Sequence, residues 1–313
     1  MEILTGNPFF ASCLASSVLL LVWKLAVKDG RIAWPHMLFP PLWSVGSTFV
    51  LGISASLLPF TLDRYLYTVD GTYGFQSSFL GARLLLANPW LLHTCAVCYF
   101  NLPIGMTIIY LLLQHKSGEA EANGFIRFAV YLAISGTALY FACPAVGPGG
   151  AFHDAFPNHL PQNVGLVAVR MPLAARNCMP SMHTAWILCI LLCAPRMNRY
   201  LQAILWAFAG FTLLYALSAG GHYLVDLIVA VPFTMTVQSA YRSEWKSPGF
   251  VLNAAIVAFW FVVLRYGVGL FTLSPAVPYG LSLLTLLSPL LRFRSDGRAT
   301  SAHGAELSAA SIG

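Results

Sequence analysis

The sequence predicts an all-α fold, a polytopic transmembrane helical bundle of eight or nine spanning helices. Of the 313 residues, 58% are hydrophobic and 9% are charged, whereas soluble domains carry about 25% charged residues. A soluble protein of this length would lack the polar residues that its surface needs, and a lipid solvent removes that need. Apolar runs of about 20 residues, long enough to span a bilayer, also recur along the whole chain.

Nine apolar runs are candidate spans. The fifth and the ninth are the shortest of them. In chain order they cover 9–27, 37–58, 89–113, 124–143, 180–195, 200–218, 222–241, 250–272 and 275–291.

Basic residues divide unequally between the two sets of alternate connections. Twelve lie in one set, and four, namely Arg64, Arg83, Arg170 and Arg176, lie in the other. Because cytoplasmic loops are enriched in Lys and Arg, this bias predicts an outer N-terminus, a cytoplasmic C-terminus and an outer position for 144–179. Membrane orientation thereby accounts for the net charge of +6 without nucleic acid as a partner.

Composition divides the chain into four parts. They are an N-terminal transmembrane hairpin (1–60), a central core (61–245), a C-terminal transmembrane hairpin (246–294) and a disordered cytoplasmic tail (295–313). Within the core, 63–87 mixes aromatic and charged residues, as an interfacial amphipathic helix does. The segment 144–179 is rich in Pro, Gly and Asn, and loops of this length are usually functional or disordered.

The first motif with chemical potential is a histidine followed by a buried acid. An ionisable group inside a spanning helix is costly and needs a reason, and Asp226 follows His222 by four residues in the seventh run. Residues four apart are neighbours on one helix face. The carboxylate can therefore orient the imidazole and leave its other nitrogen free as a nucleophile. Taken alone, the pair fits a structural contact at a helix end at least as well.

The second motif is the stretch 176–186, which reads R-N-C-M-P-S-M-H-T-A-W. Proline favours a helix start, so Ser181 and His183 fall in a first turn, where free N–H groups and the helix dipole suit a phosphate. Arg176 can hold phosphate oxygens as a fork. Taken alone, His183 also fits the pattern of a solvated or capping residue. Arg176 alone also fits the pattern of an interfacial anchor. The predicted topology, however, puts both motifs on the same membrane face.

Cys95, Cys98, Cys189 and Cys193 lie inside apolar runs. They read as buried thiols, since free Cys behaves as a small hydrophobe. Cys143 and Cys178 flank the outer loop. They can form a disulfide in an oxidising compartment, or they are two free thiols at helix ends.

The order and spacing of these motifs resemble the type 2 phosphatidic acid phosphatase superfamily, in which P-S-x-H precedes a spanning hairpin and H-x-x-x-D follows it. The R-N-x-x-P-S-x-H-x-x-W of 176–186 and the H-Y-x-x-D of 222–226 are closer to the branch of inositol phosphorylceramide synthases and sphingomyelin synthases. That branch also often carries the Pro-x-x-Gly-Pro found at 144–148. The resemblance covers roughly 60–245 and implies a six-helix phosphatase-like core.

The resemblance implies a role for each site residue. His222 attacks phosphorus and forms a phosphohistidine, Asp226 orients His222, and His183 protonates the departing oxygen before it activates water or an alcohol. Arg176 and Ser181 hold the phosphate oxygens together with backbone amides. No metal or other cofactor is implied, and the sequence has no evident Asp/Glu cluster to bind one.

Three departures from the superfamily reduce the expected phosphate-binding cations. The motif of Lys, six residues and Arg-Pro is absent, and its nearest counterpart is Arg170. Tyr215-Ala216 replaces the Ser-Arg pair before the nucleophile, and Gly149 stands where the branch often has Arg. Arg170 or Arg83 is a candidate substitute, and a less charged phosphodiester substrate fits the loss.

The sequence thus predicts a membrane lipid phosphatase or phosphotransferase, similar to inositol phosphorylceramide synthase, that acts on a phospholipid or sphingolipid at the outer face. A phosphatase of polyprenyl diphosphates or phosphatidyl phosphates is an alternative, and it differs in whether water or an alcohol resolves the phosphohistidine. A non-catalytic lipid-binding scaffold is the alternative from another class.

Overall fold

The structure is a computed structural model that describes residues 7–27, 32–171, 174–194 and 197–290. Apart from two short strands, the elements of this part are helices. The predicted disordered tail, 295–313, lies outside the described residues. In chain order the elements are α1 (Pro8–Ala26), α2 (Trp34–Leu57), β1 (Phe60–Thr61), α3 (Asp63–Gly71), α4 (Ser77–Ala87), α5 (Pro89–Phe100), α6 (Leu102–Ser117), α7 (Glu119–Ala142), α8 (Pro148–Ala151), β2 (Val169–Arg170), α9 (Met182–Cys193), α10 (Arg199–Ser218), α11 (Leu224–Tyr241), α12 (Pro248–Tyr266), α13 (Gly269–Thr272) and α14 (Ala276–Leu290).

Several helices begin where a polar cap meets an apolar run. The Asn7 side chain accepts a hydrogen bond from the N–H of Phe9 at the start of α1, and Ser247 accepts one from Phe250 at the start of α12. Asn198 caps α10 in the same way. Such caps satisfy N–H groups that have no partner inside the helix. They fix each starting residue in the chain.

The helical, membrane-spanning fold class is confirmed, and the predicted runs take three forms. Six of them are single helices long and apolar enough to cross a membrane: α1, α2, α7, α10, α11 and α12. The third run is a broken pair, α5 and α6, bent by 56° at Asn101. Pro103 follows this break, and proline cannot continue the hydrogen-bond ladder of a helix. The fifth and ninth runs form the shorter helices α9 and α14.

Helix α11 lies at the centre of the bundle. Two-thirds of its apolar window (67%) is buried inside the protein, compared with 17–39% for the other long helices. It packs against α7, α9 and α12, and α9 also packs against α7. The two helices that carry the histidine motifs are therefore direct neighbours near the middle of the protein.

The outer faces of the bundle are apolar. Large hydrophobic side chains such as Val18, Phe49 and Ile204 are exposed on α1, α2 and α10. Exposed patches of this extent are not stable in water, and a bilayer removes the cost. These faces support an integral, multi-pass membrane protein.

The segment predicted as interfacial forms two short helices, α3 and α4. One face of α3 is buried against α11 and α12, and both of its aspartates, Asp63 and Asp70, lie on that face. The strand β1 just before α3 pairs antiparallel with β2, with Phe60 opposite Arg170. This pairing joins the 144–179 loop to the start of α3.

Candidate active site

A glycine contact fixes the loop that carries His222. Gly147 and Gly220 both have positive φ, 86° and 77°, a region that glycine tolerates best. A Cβ on Gly147 would lie 2.5 Å from the carbonyl oxygen of Gly221, and one on Gly220 would lie 2.8 Å from Cα of Gly149. The N–H of Gly149 donates to the Gly220 carbonyl at 2.8 Å. The Pro-x-x-Gly-Pro stretch and the glycines before His222 are therefore two sides of one backbone contact.

The imidazole of His222 is oriented by a backbone carbonyl. Its Nδ1 lies 2.9 Å from the carbonyl oxygen of Cys178. Because a carbonyl can only accept, Nδ1 must carry the proton. The other nitrogen, Nε2, then keeps its lone pair. His222 is 4% exposed, so this tautomer is held in a largely water-free setting.

Asp226 lies close to His222, but its hydrogen bonds are made with other groups. Its Oδ2 is 3.6 Å from Nδ1 of His222, longer than the direct bond of about 3 Å that a His–Asp pair makes. The same oxygen accepts from the N–H of Tyr223 and from the thiol of Cys178, both at 2.7 Å. Oδ1 is buried and has no hydrogen-bond partner among the described residues. Asp226 thus caps α11 and places a carboxylate beside the imidazole. His222 itself precedes α11, so the prediction that the pair shares one helix face is wrong.

The Cys178 thiol is a proton donor to this carboxylate. Burial raises the pKa of Cys178 well above its usual range, so the thiol stays protonated. Cys143 is also a buried free thiol. The disulfide considered for these two cysteines is therefore wrong, and the alternative of two free thiols holds, because the sulfur of Cys178 faces Asp226.

His183 faces His222 across a gap. The two ring centroids are 6.2 Å apart and the planes cross at 66°, which lets one tetrahedral phosphate group contact both rings. The His183 ring stacks on Tyr99, with centroids 3.9 Å apart and planes at 17°. Its Nε2 is buried without a hydrogen-bond partner in the described ranges. This atom is free to exchange a proton with a ligand.

Ser181 caps α9 and ties it to α11. Its Oγ accepts from the N–H of Thr184 at 3.4 Å and from the Thr184 hydroxyl at 3.0 Å. Its own N–H donates to the backbone carbonyl of Asp226 at 3.2 Å. The N–H groups of Met182 and His183, at the first two positions of the helix, have no intrahelical acceptor. They are the backbone donors that the helix start offers to an anion.

The described contacts of the three candidate arginines do not reach the gap between the histidines. Arg170 and Arg176 lie in the 144–179 loop, and Arg83 lies on α4. The Arg176 guanidinium is buried and donates to the carbonyls of Leu58 at 3.0 Å, Ala174 at 2.6 Å and Met171 at 3.2 Å. Arg83 donates to the carbonyls of residues 157 and 158. Arg170 is exposed on β2. The phosphate-binding roles of Arg176 and Arg170 are predictions that these contacts do not support.

Two buried aspartates of α3, which the sequence did not single out, hold backbone groups of the site in place. Asp63 accepts from the N–H groups of Val146 and Gly147, the latter at 2.9 Å, and from the hydroxyl of Tyr223 at 3.1 Å. Asp70 accepts from the N–H groups of Leu224 at 2.7 Å and Val225 at 3.2 Å. One helix therefore holds both the glycine contact and the start of α11.

The signal for these aspartates was present in the spacing of the sequence. Asp63 and Asp70 are seven residues apart, which is two turns on one helix face. Burial raises the pKa of Asp63 to about 6 and that of Asp70 to about 8, against the opposing effect of the N–H donors. The sequence predicted an interfacial helix here because 63–87 mixes aromatic and charged residues. Their partners are backbone groups, which no residue pattern reveals.

One group of side chains in the site has metal-ligand character. Single ligand atoms of Cys178, His222 and Asp226 all lie within 4.8 Å of one another, and this donor set is typical of zinc. A metal here would have to displace both the thiol–carboxylate bond and the imidazole–carbonyl bond described above. The expectation that the protein needs no metal stays a prediction.

A cavity of about 580 Å³ opens beside His183. Its walls are mainly apolar and aromatic side chains of α1, α2, α5, α7 and α9. Asn177 and Tyr99 border it next to His183, and Asn177 is a further polar group that sequence reasoning left without a role. His183 thus borders a space that suits a hydrocarbon chain.

Sequence comparison identifies the class of protein. The profile of the PAP2 superfamily matches residues 64–240, more than half of the chain, and the chain belongs to this family. The match includes both histidine motifs, the glycine contact and α3 from its second residue onward. Its members are phosphoric ester hydrolases or phosphotransferases. No curated protein and no solved structure matches the chain.

Proposed function

We propose that the protein is a metal-independent lipid phosphatase or phosphotransferase that works through a phosphohistidine on His222. The observation that carries this proposal is the pair of imidazoles whose ring centroids are 6.2 Å apart. The Nδ1 hydrogen of one of them, His222, is donated to a backbone carbonyl. That arrangement leaves Nε2 of His222 as a nucleophile. It also leaves His183 as the group that can move protons.

The reaction has two balanced steps. The lone pair on Nε2 of His222 forms a bond to phosphorus while the bond from phosphorus to the leaving oxygen breaks, and protonated His183 gives that oxygen its proton. Neutral His183 then takes a proton from water or an alcohol, whose oxygen attacks phosphorus. The P–N bond breaks and its electron pair returns to His222.

The start of α9 supplies most of the groups that stabilise the negative charge of the phosphate. The N–H groups of Met182 and His183 point out of the helix start, and the helix dipole adds partial positive charge there. Stabilising the oxygens of a transferred phosphoryl group is most of what such catalysis needs. With Arg83 and Arg176 engaged by carbonyls, this backbone site favours a substrate of low charge, such as a phosphodiester.

A lipid substrate is favoured by the cavity beside His183. Its apolar walls suit a hydrocarbon chain while the head group lies between the histidines. The motifs at 176–186 and 222–226 favour activity similar to that of inositol phosphorylceramide synthase, in which a lipid alcohol accepts the phosphate-bearing head group. Hydrolysis of a polyprenyl diphosphate or a phosphatidyl phosphate uses the same first step and is the second candidate.

Purified protein incubated with labelled lipids tests the proposal. We expect turnover of phosphatidylinositol that rises when ceramide or diacylglycerol is present, with a new phosphate-bearing lipid as product. Release of the head group into water without such a product would favour the phosphatase. Failure to turn over phosphatidylinositol, phosphatidic acid and polyprenyl diphosphate would contradict catalysis and favour the non-catalytic scaffold, with which the arginine contacts agree.

We further propose that the site opens to the periplasm, lumen or exterior, with the C-terminus in the cytoplasm. The support is the twelve-to-four distribution of basic residues between alternate connections. The Asp154 side chain on the outer loop is 91% exposed, so Asp154→Cys should react with an impermeant maleimide in intact cells. The unsubstituted chain is the control. Reaction only after membrane permeabilisation would reverse the topology.

A further inference from the structure

The cavity beside His183 is shared between the family core and the N-terminal hairpin. Ten of its twenty lining residues belong to 7–51 and ten to 99–186. The family match begins at residue 64, so the first ten lie outside it. Half of the wall is therefore supplied by a segment that the family does not specify.

We propose that the α1–α2 hairpin selects the substrate by the length and thickness of its hydrocarbon chain. This inference rests on the proposed function, with the phosphate between His183 and His222 and the chain in the cavity. The wall face of α2 carries Leu42, Trp43, Gly46 and Val50. Leu42, Gly46 and Val50 are successive positions four residues apart and thus share one helix face.

Selection works through fit. A lipid chain that moves from the bilayer into a protein cavity exchanges one hydrocarbon environment for another, so there is little hydrophobic driving force. Packing of the lipid chain against the cavity walls then decides which substrate binds, because overfilling a packed space costs free energy. A chain that fits places its phosphate at the histidines, and a chain that does not fit holds it away.

Aromatic rings form one limit of the cavity. Phe9 stacks on Trp186 with centroids 6.5 Å apart, and Trp43 meets Trp186 edge-on at 6.5 Å. All three rings also border a second, smaller apolar cavity of about 70 Å³. The rings thus separate the large cavity from the small one, which sets a length that the chain can reach.

Gly46 offers a substitution that fills the cavity without disturbing the helix. A Cβ at Gly46 would meet no atom within 4 Å, and the same holds for Gly52 on the same helix, which does not line the cavity. Gly46→Leu is expected to lower turnover of dioleoyl phosphatidylinositol and phosphatidic acid by about tenfold or more, with the dihexanoyl forms little changed. Turnover of the long-chain lipids by Gly46→Ala should lie between that of Gly46→Leu and that of the unsubstituted protein. Turnover by Gly52→Leu should match that of the unsubstituted protein.

A binding measurement that does not need turnover separates this inference from the proposed function. Phosphatidic acid with a diazirine at the end of one long chain is photolysed with each protein, and the labelled peptides are mapped. We expect label at Tyr140, which lines the cavity and is 6% exposed, so bilayer lipid outside the bundle does not reach it. Gly46→Leu should lose this label and Gly52→Leu should keep it.

The outcomes are distinct. Equal losses of long-chain and short-chain turnover in Gly46→Leu, or label at Tyr140 that Gly46→Leu leaves unchanged, would overturn selection by the hairpin and leave the phosphohistidine proposal standing. If no lipid is turned over, the proposed function fails, and the label at Tyr140 still decides whether the cavity takes the chain.

Discussion

Replacing His222 by alanine is expected to lower turnover by about 10⁵-fold or more, because loss of a catalytic nucleophile leaves only binding and charge stabilisation. The phosphoenzyme should vanish with it. Protein quenched during turnover of a lipid with a radiolabelled phosphate should carry label that is stable in base and labile in acid, as a phosphoramidate is. His222→Ala should carry none.

His153→Ala is the matched control for this variant. His153 lies on the outer loop and its side chain is 73% exposed, so its loss should change neither turnover nor labelling. Thermal unfolding in detergent checks that His222→Ala remains folded. Base-stable label that persists in a folded His222→Ala protein would place the nucleophile elsewhere.

Asp226→Asn should be less damaging than His222→Ala. In a serine protease the equivalent change costs about 10⁴-fold because it imposes the wrong histidine tautomer. Here the carbonyl of Cys178 holds the proton on Nδ1, so the tautomer survives. What the substitution removes is the negative charge of Asp226 beside the His222 imidazole. Hydrogen bonds to charged groups contribute about 1.5–3 kcal/mol. We therefore expect a loss of roughly 10- to 100-fold, measured as turnover and as the rate of phosphoenzyme formation.

Replacing His183 by alanine is expected to lower turnover of lipid substrates by about 10²- to 10⁴-fold, the contribution typical of general acid–base catalysis. An alkoxide leaves poorly without a proton, whereas nitrophenolate leaves without help. Turnover of an alkyl phosphodiester should therefore fall much more than phosphoenzyme formation from the matching nitrophenyl ester. Burst kinetics with the two esters measure the difference.

His93→Ala is the control for the second histidine. His93 lies on α5 with an exposed side chain and outside the residues that line the cavity. It should show full turnover with both esters. Equal losses for the two esters in His183→Ala would mean that His183 positions the substrate, for example through its stack on Tyr99, and does not donate a proton.

The sequence by itself determined the membrane-spanning helices and the pair of histidine motifs. In lipid every backbone polar group must be satisfied within the chain, so a long apolar run has few structures other than a helix. A proline and a polar cap before a helix are likewise local signals, and they placed Ser181 at the start of α9. These features depend on neighbours in sequence, which is why they could be predicted.

Hydrogen-bond partners were decided only by the tertiary structure. Arg176 was predicted to meet phosphate, but its guanidinium donates to the carbonyls of Leu58, Met171 and Ala174. His222 was predicted to bond to Asp226, but the carbonyl of Cys178 is closer. Asp63 and Asp70 hold backbone N–H groups more than 80 and 150 residues away in the chain. A backbone carbonyl or N–H is present at nearly every residue and carries no mark in the sequence, so only the packing of the helices decides which of them a buried charge meets.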